Sequence, residues 1–206
     1  MLIHPWDAAT DDEWQAWLRE RDFGQLIAAG RGRELPVVVP THFVFDGART
    51  AWLHLARPNP IWPLLDESPR ALLTVTGDYA YVPAAWNAPP DADPGQGVPT
   101  SYYATVQLEC DTEVIDDTEA KAALLNRQLC HFEPQGRGPV STAVEHDRGR
   151  LAGIRGLQLR ITGVRAKFKF GGNKPPAHRR RIAEHLADRR GALDQAARTQ
   201  LLRRTP

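Results

Sequence analysis

The spacing of apolar residues changes along the chain, and each change marks an element. Trp14, Trp17 and Leu18 recur at helical spacing behind Thr10-Asp11-Asp12-Glu13. That tetrapeptide has the form of a capping box, in which the Thr10 hydroxyl accepts from the backbone N–H near Glu13, so residues 11–20 are predicted to form a short amphipathic helix. Phe23 to Ala29 reads as a strand, Gly30 to Arg33 as a turn, and Glu34 to Phe45 as a β-rich run that ends at the hairpin signal Asp46-Gly47. Thr50 to Leu55 would return beside it, which sets Pro40-Thr41-His42-Phe43 on the neighbouring hairpin strand.

Leu72 to Val75 and Tyr79 to Val82 have strand character, and Pro83 to Pro99, with five prolines, Gly95 and Gly97, reads as a long irregular loop. Tyr103 to Val114 returns to strand composition. Asp116 or Asp117 can cap a helix to about Phe132, with Ala120, Ala123, Leu124 and Leu129 as its apolar face. Glu133 to Gly153 reads as a polar link. Leu157, Leu159 and Ile161 alternate with polar residues, Val164 to Phe170 alternates again, and Gly171-Gly172 ends the run. Hairpin-linked strands without regular strand–helix alternation predict an α+β fold, mainly β, of antiparallel barrel type with flanking helices and a C-terminal helix.

Composition narrows this picture. The 206 residues are 42% hydrophobic and 25% charged, ordinary globular values that argue against overall disorder. Charge is uneven: the last 33 residues hold nine Lys and Arg against three Asp and Glu, which leaves 17 against 22 for residues 1–173. A mildly acidic body (1–174) and a basic helical tail (175–206) are expected, the tail carrying Ile182, Leu186 and Leu193 on one stripe. No basic, apolar leader opens the chain and no run approaches a membrane span, so a cytoplasmic protein without membrane association is expected.

Nucleotide-binding glycine loops, a GxSxG elbow and an HExxH helix are all absent from the sequence. Adjacent Cys130 and His131 are poorly placed to ligate one metal, and Cys110 is remote in sequence, so two small buried thiols and no metal site are expected. Chemistry concentrates in Leu53-His54-Leu55-Ala56-Arg57-Pro58-Asn59-Pro60-Ile61-Trp62, where a strand runs into a turn stiffened by two prolines. Arg57 offers a planar donor fork for phosphate or carboxylate, and Asn59 both donates and accepts. Thr41, Lys169, Asn173 and Lys174 would suit the same anion.

His-Leu-Ala-Arg-x-Asn-Pro-x-Trp at 54–62, Pro-Thr-x-x-Tyr at 99–103 and Lys-x-x-x-Asn-Lys at 169–174 together resemble the PaiB-like family, over about Trp14 to Lys174 and in the same order. His131-Phe132-Glu133 is similar to that family's aromatic–Glu pair. The chain departs from the family pattern at Pro58, Ser101-Tyr102-Tyr103, Val82 to Asn87, and Phe170-Gly171-Gly172.

The resemblance implies an FMN-binding split barrel that works as a negative transcriptional regulator, paired as a homodimer with FMN at the subunit interface. It implies cofactor contacts from Thr41, His54, Arg57, Asn59, Thr100, Tyr102, Lys169, Asn173 and Lys174. Six tryptophans could supply interface anchors. Two other readings stay open: a flavin-dependent oxidoreductase of the pyridoxamine-phosphate-oxidase-like type, and a cofactor-free barrel acting as an interaction module. DNA is a conceivable partner of the basic tail, but the sequence holds no recognisable DNA-binding motif, and its apolar stripe calls for docking.

Overall fold

A computed structural model describes residues 1–89 and 92–204. Seven strands form one antiparallel sheet: β1 (Phe23–Ala28), β2 (Val37–His42), β3 (Val44–Phe45), β4 (Thr50–Ala56), β5 (Arg70–Val82), β6 (Thr100–Ile115) and β7 (Ile154–Lys169), in the order β2-β1-β5-β6-β7-β4-β3. Its helices are α1 (Asp11–Arg19), α2 (Trp62–Glu67), α3 (Ala84–Asn87), α4 (Thr118–Phe132), α5 (Glu145–Ala152), α6 (Pro176–Arg189) and α7 (Asp194–Arg203). This is the mainly-β α+β architecture of the split-barrel type. No helix among the described residues is long and apolar enough to cross a membrane.

The chain forms two compact units. The first comprises residues 1–14, 76–106 and 165–206; the second comprises 15–75 and 107–164. In the second, β4 alternates as period two requires, with Ala51, Leu53 and Leu55 buried, and Leu26, Leu73, Leu108 and Leu157 join them in the core. In the first, Tyr102, Ala104, Phe168 and Phe170 are buried with Ile182, Leu186, Ala197 and Leu201 of α6 and α7.

Several expectations are corrected. The run 34–45 divides: β2 pairs with β1, with Gly24 opposite Thr41 and Phe23 opposite His42, whereas only β3 pairs with β4. Thr41 and His42 therefore do not lie on the hairpin partner of β4. Residues 133–153 include α5, and the 83–99 loop includes α3 and a 3-10 turn at Pro94–Gln96, with residues 90 and 91 outside the described set. Of the expected apolar face of α4, Leu124 is buried but Ala120 and Ala123 face solvent, and the helix also buries Lys121, Ala122 and Gln128. Lys121 is tolerated there because its ammonium donates to the Leu151 carbonyl at 2.6 Å, although burial still holds its pKa down. Leu193 leaves the tail's stripe: it is 47% exposed, at the N-cap of α7. Cys110 is buried, which pushes its thiol up to about 12, but Cys130 is exposed. Trp14, Trp17 and Trp62 are core residues, so none of the three can anchor an interface.

Polar contacts pin the tail within the first unit. Arg203 and Arg204 both reach the Glu13 carboxylate, and the Thr10 hydroxyl accepts from Glu13 N–H at 3.3 Å, as the capping box predicts. Arg181 donates to the Ala88 carbonyl, and Gln200 to the buried Asp78 at 2.8 Å. Arg189 binds Asp194 through two nitrogens, at 2.6 and 2.8 Å, and the Tyr81 carbonyl at 2.7 Å.

The bonds from Arg189 hold the Asp194 carboxyl below its ordinary value of 3.8. A carboxylate with a lowered folded-state pKa contributes stability above its unfolded pKa and loses it as pH falls through the folded one. Asp194→Asn is expected to cost about 1–3 kcal/mol near neutral pH. It should also flatten the fall in stability below pH ~4. Denaturant unfolding of both proteins across pH checks this, and parallel acid profiles would contradict it.

Candidate functional site

A cavity of about 300 Å³ lies in the first unit. Five of the sequence-predicted residues line it together: Thr100, Tyr102, Lys169, Asn173 and Lys174. Alternation along β7 puts Phe168 and Phe170 in the core and leaves Lys169 on the other face, where its ammonium donates to the Thr100 hydroxyl at 2.8 Å. The chain then turns, with Lys174 N–H donating to the Gly171 carbonyl at 2.9 Å, which returns Asn173 and Lys174 to the cavity wall.

Gly171 and Gly172 are what this turn requires. Gly171 has a φ of +66°, and a β-carbon there would stand 2.5 Å from the Tyr102 hydroxyl. One at Gly172 would stand 2.3 Å from the Trp6 carbonyl. Burial drives the Tyr102 hydroxyl up to about 12, so it stays a proton donor throughout the neutral range. Asp7 also lines the cavity, with its carboxyl raised by burial and Lys167 at 3.9 Å. Lys169 and Lys174 line the cavity as well, and the positive charge of Lys169 acts on the Asp7 carboxyl from farther away. An adjoining cavity of about 490 Å³ shares Asn87, Val98 and Lys174 with the first, and adds apolar walls from Pro89, Pro175 and Ala177.

The other four predicted residues belong to the second unit. Thr41 is buried on β2, its hydroxyl donating to the His42 carbonyl at 3.1 Å. Arg57 leaves β4 half-exposed, donating to the Ala152 carbonyl at 2.9 Å, with Asp116 and the Ile154 carbonyl at 3.4 Å. The Asn59 side chain accepts from Ile61 N–H at 3.1 Å, and Trp62 donates to the Ala56 carbonyl at 2.9 Å. In this chain the 54–62 motif thus locks the end of β4 to the start of α2.

His54 lines a second cavity, of about 520 Å³. The neighbouring β4 residues 53 and 55 point into the core, so His54 stands on the opposite strand face with Gln128 of α4, and its Nδ1 lies 2.6 Å from the Gln128 side-chain oxygen. His42 packs edge-on to His54 with ring centroids 5.3 Å apart, and Phe132 packs edge-on to His42 at 5.1 Å. Burial, reinforced by His54, lowers the pKa of His42, which keeps it neutral at pH 7. Sequence reasoning missed Gln128 because a glutamine was not counted on an apolar face. Leu125, Gln128, Leu129 and Phe132 nevertheless share one helical stripe, and that spacing was the available signal.

Comparison with known proteins agrees with this architecture. Similar folds occur in the flavocytochrome Anf3 of Azotobacter vinelandii, with a TM-score of 0.61, 20% identity, and 81% of this chain and 71% of that one covered. A FAD and heme binding protein of Mycobacterium smegmatis gives 0.58 at 21% identity, covering 80% and 74%. The conserved hypothetical protein Rv2991 of Mycobacterium tuberculosis gives 0.55 at 15%, covering 82% and 90%. No curated protein matches the chain. These likenesses define a split-barrel protein. Residues 1–163 match the family model FMN_bind_2, described as "Putative FMN-binding domain", and the chain belongs to that family.

FMN is the cofactor of this family, and the first unit's donor set fits it. An ammonium pair, a hydroxyl and an amide converge where a phosphate and a polyol need donors, beside an apolar space. The turn is the part of this cradle most sensitive to bulk. Gly171→Ala is expected to destabilise the protein by about 1–3 kcal/mol, from left-handed strain and the clash with Tyr102. Adding Tyr102→Phe should recover part of that cost but leave the strain. Thermal or denaturant unfolding of the three variants measures it.

Proposed function

We propose that the chain works as an FMN-binding protein of the PaiB-like type, with the phosphate and ribityl arm of FMN held in the first unit's cavity. The observation that carries this reading is the pair Lys169 and Lys174 on one cavity wall with Thr100 and Asn173. Lys169, positioned by the Thr100 hydroxyl, and Lys174, positioned by the Gly171 turn, would neutralise the phosphate. Tyr102 would donate rather than accept, because its proton is held. Bound FMN would supply redox chemistry at its ring system, and the protein binding, orientation and electrostatics.

The family resemblance adds Thr41, His54, Arg57 and Asn59 as contacts and a homodimer as the working assembly; both belong to this proposal. A regulatory effect would run through the flavin and its assembly. The tail's Arg181, Arg189, Arg203 and Arg204 are already engaged within the first unit, which favours docking of that tail over DNA contact.

Purified protein should show flavin absorbance or acquire it on titration with FMN. Losing one charge-assisted phosphate contact costs roughly 1.5–3 kcal/mol, so Lys174→Ala and Lys169→Ala should each weaken binding by about one to two orders of magnitude. Arg57→Ala in the same titration tests the contact implied by the resemblance. Absence of FMN binding by the wild type would overturn the reading. Unchanged affinity in both lysine variants would move the phosphate elsewhere. Light scattering at micromolar concentration should report a dimer, and turnover of NAD(P)H would favour the oxidoreductase reading.

A further inference from the structure

The start of α6 opens on the adjoining cavity of about 490 Å³, whose wall includes Lys174, Pro175, Ala177 and His178. A helix leaves its first N–H groups without intrahelical partners and concentrates positive potential there. In α6 the first such bond runs from Arg179 N–H to the Pro175 carbonyl, at 3.2 Å. Pro176 has no N–H, Pro175 caps the helix without a side-chain acceptor, and the first turn holds no acid. The Ala177 and His178 N–H groups are thus left facing the cavity. No carboxylate among the described residues lines it.

Arg179 adds a buried charge at the same place. It is only 6% exposed, yet among the described residues its guanidinium makes no hydrogen bond and no ion pair. Nε is sealed without a partner, whereas the two terminal nitrogens are not sealed and keep surface from which to meet a ligand. Helical side chains lean toward the N-terminus, which carries this one back toward the free N–H groups. Its charge acts on the Tyr102 hydroxyl of the neighbouring cavity wall. A cation this buried is costly unless an anion meets it.

The His178 ring is already committed: Nδ1 accepts from Arg181 at 3.3 Å, and Nε2 donates to the Asn87 side-chain oxygen at 3.1 Å. Burial, then the charges of Arg181 and Lys174, lower its pKa, as a wall of positive potential should. Pro89, Val98 and Pro175 add apolar surface, and Val98 is 72% exposed.

We propose that this cavity is a phosphomonoester site, in which the Ala177 and His178 N–H groups, Lys174 and Arg179 hold the dianion and the apolar wall takes the organic body. Two sources share that chemistry: a separate phosphorylated ligand, or the phosphate of FMN itself. The assignment shares Lys174 with the reading above but uses neither Lys169 nor Thr100, and it stands without FMN in the first cavity.

Phenyl phosphate is the probe, with backbone ¹H–¹⁵N correlations of the full-length protein as the readout. A fragment of this size should bind with a dissociation constant on the order of 1 mM. Saturable downfield shifts at Ala177 and His178 are expected, with neutral phenol binding at least about tenfold more weakly and inorganic phosphate several-fold more weakly. Arg179→Met should weaken phenyl phosphate about tenfold or more without lowering the melting temperature of the ligand-free protein, because it removes an unpaired buried charge. If that variant does not fold, Arg179→Lys decides, with a several-fold loss expected. FMN that displaces phenyl phosphate identifies the cofactor's phosphate as the occupant; simultaneous binding identifies a separate ligand. Both support the site. No shift at Ala177 and His178, equal binding of phenol, or unchanged affinity in folded Arg179→Met would overturn it. A chain that binds phenyl phosphate but not FMN keeps this site and loses the FMN reading.

Discussion

Strict alternation of side chains along antiparallel strands is the constraint from which both cavities follow. Burying Leu53 and Leu55 obliges His54 to leave the core on the opposite face of β4, where Gln128 of α4 meets it. Burying Phe168 and Phe170 likewise obliges Lys169 to leave the core beside Thr100. A register slip of one residue would exchange these sets, placing an ammonium and an imidazole in apolar cores. The hydrophobic core thus fixes the polar side chains that carry the chemistry.

Charge is sorted between the two cavities. In the first, Lys167 faces Asp7, and Lys169 and Lys174 bring positive charge to the cavity wall. In the second, partial burial lowers the pKa of His42, and the wall carries Asp22 and Glu133 with no lysine or arginine among the described residues. The tail's basic residues follow a third rule. A charged group brought against apolar surface needs an acceptor, and Arg189 and Arg203 find theirs in Asp194 and Glu13. Net positive composition is therefore a poor guide to what that tail contacts.

The departures from the PaiB-like pattern acquire physical meaning in the same way. Gly171 and Gly172 stand where β-carbons would meet the Tyr102 hydroxyl and the Trp6 carbonyl, so these glycines and the tight turn belong together. Arg57 and Asn59, which the sequence resemblance singled out, spend much of their hydrogen bonding on the backbone around the join of β4 to α2.

The sequence alone determined those elements whose periodicity is strong, because periodicity is a local property: α1 with its capping box, the strands around Leu53 and Leu159, and the Asp117-capped α4 were legible, whereas the short helices α2, α3 and α5 were not. It also carried the 54–62 motif that pointed to the FMN-binding family. It could not show that β2 leaves the hairpin to pair with β1, since strand partners are chosen by contacts distant in sequence. Nor could it rotate α4 correctly, because Lys121 and Gln128 are buried only where tertiary neighbours, the Leu151 carbonyl and His54, satisfy their polar atoms. Hydrophobicity is written residue by residue, whereas the satisfaction of a buried donor depends on what the fold brings to it, and that the tertiary structure alone decided.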